Sequence, residues 1–362
     1  MGARCALVIT LAADGAGVIP SPYLLYLGAA EDPLAVKTAR GVAHWRPEKC
    51  IGERRLHADA VTLGLEQLSY GEAAERGART MLIGVANRGG VMSAEDEAEA
   101  LAALRAGLDV ASGLHQRLRD RPALREAAER LGRKLYDVRE PPADLPVGTG
   151  EPRRGRRLLT VGTDCSVGKM YTTLAVEREL RRRNVRCDFR ATGQTGIMIA
   201  GSGVPVDAVV ADFISGSVEQ LSPDRFDGGW DLIEGQGSLF HPSYAGVSLG
   251  LIHGAQPDAI VLCAEPGRAH MRGLPGRLTP SLSETLSANL RAARLTNSDV
   301  VCVGVALNTS NLSPEEAKRV CATVSDELGL PAQDPVAQGV GEIVDQLLEC
   351  FAASSPVLSA GR

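Results

Sequence analysis

One stretch decides the fold of this 362-residue chain: Val161-Gly162-Thr163-Asp164-Cys165-Ser166-Val167-Gly168-Lys169. It follows the apolar run Arg157–Val161, which predicts a strand, and it opens residues 168–183, where apolar residues recur with the period of a helix. A glycine-rich turn between a strand and a helix is the context of a phosphate-binding loop. Glycines let the backbone approach a phosphate, successive N–H groups form an anion-binding nest, and the helix N-terminus and the lysine add positive charge. We therefore predict that residues 162–169, called the P-loop below, hold a phosphate-bearing ligand.

The P-loop departs from the common pattern at its metal ligand. Five residues separate its two glycines, where the common pattern has four, and Met170 stands where a Ser or Thr hydroxyl usually ligates Mg²⁺. A thioether is a poor ligand for a hard cation. Thr172 and Thr173 follow on the same helix but face other directions. The sequence therefore predicts no metal site and favours a phosphate ligand that needs none, such as the pyrophosphate of coenzyme A.

Composition excludes several classes of partner. A net charge of −5 and an aromatic content of 4% leave no electrostatic or stacking surface for nucleic acid. Eight cysteines occur without a CxxC pair, which is typical of reduced thiols in a cytoplasmic protein. No apolar stretch is long enough to span a membrane. We expect a small-molecule substrate, and a homo-oligomer is an expectation from base rates alone.

The chain divides into two α/β halves. Residues 141–157 are rich in Pro, Gly and charge and predict a linker between residues 1–140 and residues 158–353, with a frayed tail at 354–362. In the first half, apolar runs alternate with helical stretches, which predicts a Rossmann-like domain. The predicted strands there are Cys5–Leu11, Ala60–Leu63 and Thr80–Ala86, and the predicted helices are residues 94–118 and 122–131.

The second half predicts a doubly wound parallel sheet that carries the P-loop. Several of its apolar runs are continuous, as expected of strands that helices cover on both faces. Ligands in such sheets bind beyond the carboxyl ends of the strands. Besides the strand before the P-loop, the predicted strands are Val185–Ala191, Ala208–Asp212, Asp231–Glu234, Ala259–Cys263 and Val300–Leu307, with helices at 283–293, 313–328 and 339–352.

Three side chains near predicted strand ends are candidates for catalysis. Glu234 follows a strand and precedes Gly235-Gln236-Gly237, so its carboxylate could accept a proton from an amine or hold Mg²⁺. His241 is the second candidate base, because imidazole titrates near neutral pH. Asp212 is predicted to be a further acidic strand tip. For each residue a purely structural role remains an alternative.

Polar side chains after the other strands are candidates for binding. Arginines suit the bidentate capture of carboxylates, and a structural ion pair is an equal alternative for Arg190. Asn308 ends a predicted strand, where its amide could bond to an adenine edge. The predicted substrate-binding residues are Arg190, Thr192, Gln194, Thr195, Arg268 and Arg272.

Two resemblances can be named from these strings. Gly162-Thr-Asp-x-x-Val-Gly-Lys, Glu234-Gly-x-Gly and Asn308 resemble the nucleotide site of dethiobiotin synthetase, although Met170 breaks the match at the metal ligand. A closer resemblance spans nearly the whole chain and is to the DUF1611 family. It is carried by Asp32-Pro-Leu-Ala-Val-Lys37, Trp45-Arg-Pro-Glu48, Tyr136-Asp-Val-Arg139, Arg190-Ala-Thr-Gly-Gln-Thr-Gly196, Asp207-Ala-Val-Val-Ala-Asp-Phe-Ile-Ser-Gly216, Glu234-Gly-Gln-Gly-Ser-Leu-Phe-His-Pro242 and Leu251-Ile-His-Gly-Ala-Gln-Pro-Asp258.

Within DUF1611, the chain most resembles the D-glutamate N-acetyltransferase group. That resemblance implies acetyl-CoA as the donor and an acidic amino acid, D-glutamate, as the acceptor. The alternatives are an ATP- and Mg²⁺-dependent ligase of the dethiobiotin synthetase kind and a non-catalytic nucleotide-binding regulator. Met170 counts against the ligase.

Overall fold

The computed structural model describes residues 18–33, 35–85 and 90–352. They form two compact units that divide between Asp144 and Leu145. The predicted strand Cys5–Leu11 and the predicted tail from residue 354 lie outside the described residues. No helix in the part that the structure describes is long and apolar enough to cross a membrane.

The first unit is a five-stranded parallel sheet with the strand order β2-β1-β3-β4-β5. All six residues of β1, an interior strand of this sheet, are buried, as expected where helices cover both faces of a parallel sheet. Its strands are β1 Tyr23–Gly28, β2 Cys50–Arg55, β3 Thr80–Ile83, β4 Asp109–Ser112 and β5 Leu135–Asp137, and its helices are α1 Lys37–Trp45, α2 Tyr70–Glu75, α3 Ala94–Arg105 and α4 Pro122–Leu131.

The second unit is a six-stranded parallel sheet with the strand order β11-β10-β9-β6-β8-β7. Its strands are β6 Arg156–Gly162, β7 Cys187–Arg190, β8 Trp230–Ile233, β9 Ala259–Ala264, β10 Val301–Leu307 and β11 Ala332–Gln333. Its helices are α5 Lys169–Arg182, α6 Gln194–Ala200, α7 Ile214–Leu221, α8 Ala245–Ala255, α9 Leu282–Ala293, α10 Pro314–Leu328 and α11 Gly341–Ala352. The fold is therefore the predicted α/β class, a Rossmann-like unit followed by a P-loop unit.

The strand order of the second unit positions the site. Strand β6 ends at the P-loop and lies between β9 on one side and β8 on the other. From β6 the chain continues to β7 and β8 on one side of β6, whereas from β9 it continues to β10 and β11 on the other side. The boundary between β6 and β9 is therefore a topological switch point, where open α/β sheets bind ligands. Glu234 directly follows β8, and Glu265 directly follows β9. The P-loop therefore lies between the loop that carries Glu234 and the loop that carries Arg268 and Arg272.

Three predicted elements are wrong, each for a local reason. Residues 94–118 are not one helix, because Gly107 adopts a left-handed φ of 91° and ends α3, and the apolar residues that follow pair with β3 as strand β4. Residues 208–212 are not a strand, because two short 3-10 turns, Val206–Ala208 and Ala211–Phe213, take up the run. Residues 60–63 are irregular rather than extended along a partner strand.

Candidate functional site

The P-loop is shaped for an anion. A Cβ at Gly162 would lie 2.8 Å from Cγ2 of Val167 and 2.9 Å from the carbonyl oxygen of Cys263, so only glycine fits there. Ser166 and Gly168 adopt left-handed φ angles of 55° and 100°. Within the described residues, the backbone N–H groups of Ser166, Val167 and Gly168 have no hydrogen-bond acceptor. Three N–H groups without an acceptor, in a turn that opens helix α5, are available to a ligand, as in an anion-binding nest.

Lys169 lies at the base of the nest, as the first residue of α5. Its ammonium donates a hydrogen bond of 2.8 Å to the carbonyl oxygen of Asp164, and the residue is only 6% exposed. Burial lowers the pKa of Lys169, because a charged ammonium loses its hydration. A bound phosphate would supply the opposite charge that this buried cation lacks.

Asp164 ties the P-loop to the loop after β9. Its carboxylate is fully buried and accepts hydrogen bonds from the backbone N–H of Cys165 at 2.7 Å, from that of Arg272 at 2.7 Å and from the Arg268 guanidinium at 3.0 Å. Arg268 also donates to the carbonyl oxygen of Cys165 at 2.7 Å and pairs with Glu265. The negative charge inside the loop is therefore neutralised by the protein, and the free N–H groups keep their attraction for anions.

Arg268 and Arg272 differ in whether the guanidinium group is available to bind a ligand. The structure places both beside the P-loop, as the sequence suggested for a pair of cations near the site. Arg268 is occupied by two carboxylates. Arg272 is exposed, donates a hydrogen bond to the hydroxyl of Ser166 and forms no ion pair among the described residues. Of the two, Arg272 is the cation that can receive a further carboxylate.

Glu234 is a buried carboxylate on the other side of the P-loop. It is 4% exposed, and its Oε2 accepts hydrogen bonds from the backbone N–H groups of Thr192 at 2.9 Å and Gly193 at 3.1 Å. Burial raises the pKa of Glu234 to about 7, and the two N–H groups and the Lys169 ammonium offset only part of that effect. A carboxylate with a pKa near neutrality is suited to take a proton from an amine at physiological pH.

Close backbone contacts hold Glu234 against the P-loop strand. The N–H of Gly235 donates to the hydroxyl of Thr160 on β6 at 2.9 Å. A Cβ at Gly235 would overlap the carbonyl oxygen of Thr160 and lie 3.0 Å from Cδ of Lys169. The hydroxyl of Thr192 donates to the carbonyl oxygen of Glu234 at 2.6 Å. The carboxylate, the lysine and the nest therefore belong to one site.

His241 is also buried beside the P-loop, but both of its ring nitrogens are engaged. Nδ1 accepts a hydrogen bond from the N–H of Ser243 at 3.2 Å, so Nε2 carries the proton and donates to the carbonyl oxygen of Arg272, also at 3.2 Å. Ligand-type atoms of Asp164, Cys165 and His241 lie within 4.8 Å of one another. The sequence missed this cluster, because no metal-ligand spacing links the three residues along the chain.

The hydroxyls that follow Lys169 are turned back into the helix. Thr172 donates to the carbonyl oxygen of Gly168 at 3.0 Å, and Thr173 donates to that of Lys169 at 2.9 Å. Both residues are buried. Neither replaces the magnesium-binding hydroxyl that Met170 lacks.

The remaining predicted residues fall in different surroundings. Arg190 donates to Asp231 at 2.8 Å, so the ion pair that the sequence left open is present. Gln194 and Thr195 are half-buried at the start of α6. Asn308 follows β10 close to the P-loop, since a Cβ at Gly168 would lie 3.9 Å from its Cβ. The prediction that Asp212 lies at a strand tip is wrong, because Asp212 is an exposed residue of a 3-10 turn.

Both units match domains of a known protein family. Residues 146–344 match the DUF1611 P-loop domain, and residues 50–141 match the DUF1611_N Rossmann-like domain, both described as domains of unknown function. A crystal structure of a DUF1611 family protein from Anabaena variabilis aligns with a TM-score of 0.79 and 32% identity, covering 91% of this chain and 100% of that one.

Two curated relatives are named for an enzymatic activity. A protein of Tritonibacter scottomollicae called D-glutamate N-acetyltransferase is 52% identical over 330 residues, 91% of this chain and 99% of the relative. A protein of Pseudoalteromonas sp. with the same name is 48% identical over 329 residues, with the same coverage of 91% and 99%. With family matches in both halves and relatives that align along nearly their full length, the chain belongs to the DUF1611 family.

Proposed function

We propose that this protein is an N-acetyltransferase that moves an acetyl group from acetyl-CoA to the amino group of D-glutamate. The names of the two curated relatives support the reaction and the acceptor. The single structural observation that carries the proposal is the pairing of an anion nest with a buried carboxylate of raised pKa, Glu234, on neighbouring strands. A nest binds the phosphates of a coenzyme, and such a carboxylate deprotonates an amine.

In this proposal Glu234 is the general base. The α-amino group of glutamate is an ammonium ion at neutral pH and cannot attack a thioester until it loses a proton. Ionised Glu234 takes that proton, the amine nitrogen forms a bond to the acetyl carbonyl carbon, and the carbon–sulfur bond breaks. A second proton passes from the attacking nitrogen to the leaving thiolate, so the products are the N-acetyl amide and the free thiol of coenzyme A. The N–H groups of Thr192 and Gly193 hold the carboxylate in place through the transfer.

The P-loop and Arg272 divide the binding between them. The free N–H groups of Ser166, Val167 and Gly168, with the ammonium of Lys169, would hold the pyrophosphate of the donor. Arg272, which has no ion pair among the described residues, would receive a carboxylate of the acceptor. Arg190 and Arg268 are paired within the protein and would support these groups rather than bind the acceptor directly.

An ATP-dependent ligase is disfavoured by the helix that follows the P-loop. Such a reaction needs Mg²⁺, and the hydroxyls of Thr172 and Thr173 are committed to helix carbonyl oxygens. A non-catalytic regulator would bind a nucleotide equally well, but it would have no use for a buried carboxylate with a pKa near 7.

One assay separates the three functions. The protein is incubated with D- or L-glutamate and either acetyl-CoA or Mg-ATP, with and without EDTA. Release of free thiol with D-glutamate that EDTA does not change is the expected result. Formation of ADP that EDTA abolishes would replace the proposal with the ligase, and nucleotide binding without either product would replace it with the regulator.

A carboxylate variant ties the activity to the site. Glu234→Gln keeps the size of the side chain and removes the base, so thiol release should fall at least a hundredfold. Glu327→Gln is the matched control, since Glu327 is an exposed carboxylate on α10. Equal activity of the two variants would remove Glu234 from the reaction.

A further inference from the structure

A cleft of about 290 Å³ lies beside the P-loop. It is lined by Thr163 of the P-loop, by Ala264 and Leu307 at the ends of β9 and β10, and by side chains of α9 and α10. Because β9 and β10 follow β6 on the side opposite to β8, the cleft and Glu234 are on opposite sides of the P-loop. Apart from Thr163 of the P-loop and Arg268, which is paired with Asp164 of the P-loop, the residues that line the cleft have no part in the reaction described above.

The walls of the cleft are mainly aliphatic. Leu282 of α9 and Val320 and Val324 of α10 contribute to them, together with two prolines, Pro266 and Pro280. The two charged residues that line the cleft, Arg268 and Glu265, are paired with each other. The cleft therefore suits an uncharged group with apolar faces and does not suit glutamate, which carries three charges.

Two buried hydroxyls in the lining lack a partner. Among the described residues, the Oγ1 atoms of Thr163 and Thr279 make no hydrogen bond, although both are shielded from solvent. A buried hydroxyl without a hydrogen-bond partner destabilises the folded protein. A ligand in the cleft with polar atoms along its edge could bond to these hydroxyls.

We propose that this cleft binds the adenine ring of the acyl donor, an inference that rests on the proposed function. The P-loop holds the pyrophosphate, which is in the middle of coenzyme A, and the acetyl end must reach Glu234 on the β8 side. The nucleoside end must then extend to the other side, toward β9 and β10, where the cleft is. Adenine is flat and uncharged, and its edge carries both hydrogen-bond donors and acceptors.

This proposal refines the role that the sequence suggested for Asn308. Asn308 directly follows Leu307 but does not line the cleft. Its side-chain oxygen accepts a hydrogen bond from the N–H of Ser310 at 3.3 Å. The adenine is therefore assigned to the aliphatic walls and the two threonine hydroxyls, with Asn308 outside the cleft.

Two variants test the cleft. Val320→Trp narrows it from α10, and Ala322→Trp, at an exposed position of the same helix, is the matched control. Thr279→Val removes one hydroxyl with little change of shape and serves if the tryptophan variant melts at a lower temperature than the control. Each variant and the wild type are titrated by calorimetry with coenzyme A, with adenosine 3′,5′-bisphosphate and with pantetheine.

The expected result is a similar loss of affinity for the two ligands that contain the nucleotide, coenzyme A and the bisphosphate. Val320→Trp should weaken coenzyme A and the bisphosphate at least tenfold each, Thr279→Val should weaken both about threefold to tenfold, and Ala322→Trp should weaken neither. Loss of coenzyme A and pantetheine with unchanged binding of the bisphosphate would assign the cleft to the pantetheine arm and overturn the proposal. Unchanged binding of all ligands would overturn it as well. A wild type that binds none of them would instead contradict acetyl-CoA as the donor.

Discussion

A Cβ on Gly196 would overlap the carboxylate oxygen Oε2 of Glu234 and lie 3.0 Å from its Cδ, so the buried carboxylate occupies space that only a glycine leaves open. Gly196 is the third residue of α6, where alanine would ordinarily favour the helix by about 1 kcal/mol. Glycine at this position makes α6 less stable, but it leaves room for the Glu234 carboxylate to accept hydrogen bonds from the N–H groups of Thr192 and Gly193.

Gly196→Ala should therefore impair catalysis more than stability. We expect kcat/KM for D-glutamate to fall at least tenfold, because the methyl group displaces Glu234, whereas the KM for acetyl-CoA should change little. Steady-state kinetics and a thermal melt measure the two effects. Gly246→Ala is the control, since Gly246 is also near the start of a helix and has open space around its Cα. Wild-type kinetics in Gly196→Ala would show that the present position of Glu234 is not required.

The pH profile of activity should report Glu234. Its pKa is raised from 4.5 to about 7, so the basic form predominates only above about pH 7. We expect kcat/KM to rise about tenfold per pH unit up to about pH 7 and then to level off. Glu234→Gln should lack this rise. A rise centred near pH 4.5 would mean that Glu234 titrates as an ordinary carboxyl group.

The same carboxyl group should make stability depend on pH. Its pKa is higher in the folded protein than in the unfolded chain, so folding favours the protonated form. Stability should fall as the pH rises from about 4.5 to about 7, where the folded protein must bury the charge. Melting temperatures of wild type and Glu234→Gln should thus differ more at pH 8 than at pH 5, with the variant gaining relative to the wild type. An equal difference at the two pH values would contradict the shift.

Lys169 of the P-loop should affect binding of the donor and leave binding of the acceptor nearly unchanged. Lys169→Ala should raise the KM for acetyl-CoA at least tenfold, about 1.4 kcal/mol, because it removes the buried cation beneath the anion nest. The KM for D-glutamate should stay within twofold. Lys318→Ala, on the exposed surface of α10, is the control. An unchanged KM for acetyl-CoA would exclude the P-loop as the phosphate site.

Arg272 should act on the acceptor. Arg272→Met should raise the KM for D-glutamate at least tenfold, since it removes an exposed cation beside the P-loop that has no ion pair among the described residues. Arg291→Met, exposed on α9, is the control. If the variant raised only the KM for acetyl-CoA, Arg272 would belong to the phosphate site instead.

The sequence predicts this site unevenly, for physical reasons. The P-loop and Glu234 are evident because glycines and a carboxylate follow buried strands, and local chemistry determines both the turn and its ligand. The pairing of Arg190 with Asp231 and of Arg268 with Asp164 is not evident, because those partners are 41 and 104 residues apart. The predicted strand before Asp212 is wrong because an apolar run of a few residues does not distinguish a strand from two helical turns.

The strand order of the P-loop unit also sets a length requirement on the acyl donor. From the end of β10 to the end of β8 the sheet advances by three strand spacings, about 14 Å at roughly 4.8 Å each. A donor that is anchored in the cleft and delivers its acetyl group to Glu234 has to bridge that width across the P-loop. A short donor such as acetyl phosphate can occupy the anion nest or approach Glu234, but it is too short to be anchored in the cleft at the same time. The width of the sheet would therefore favour long donors over short ones, without any residue that recognises the acetyl group.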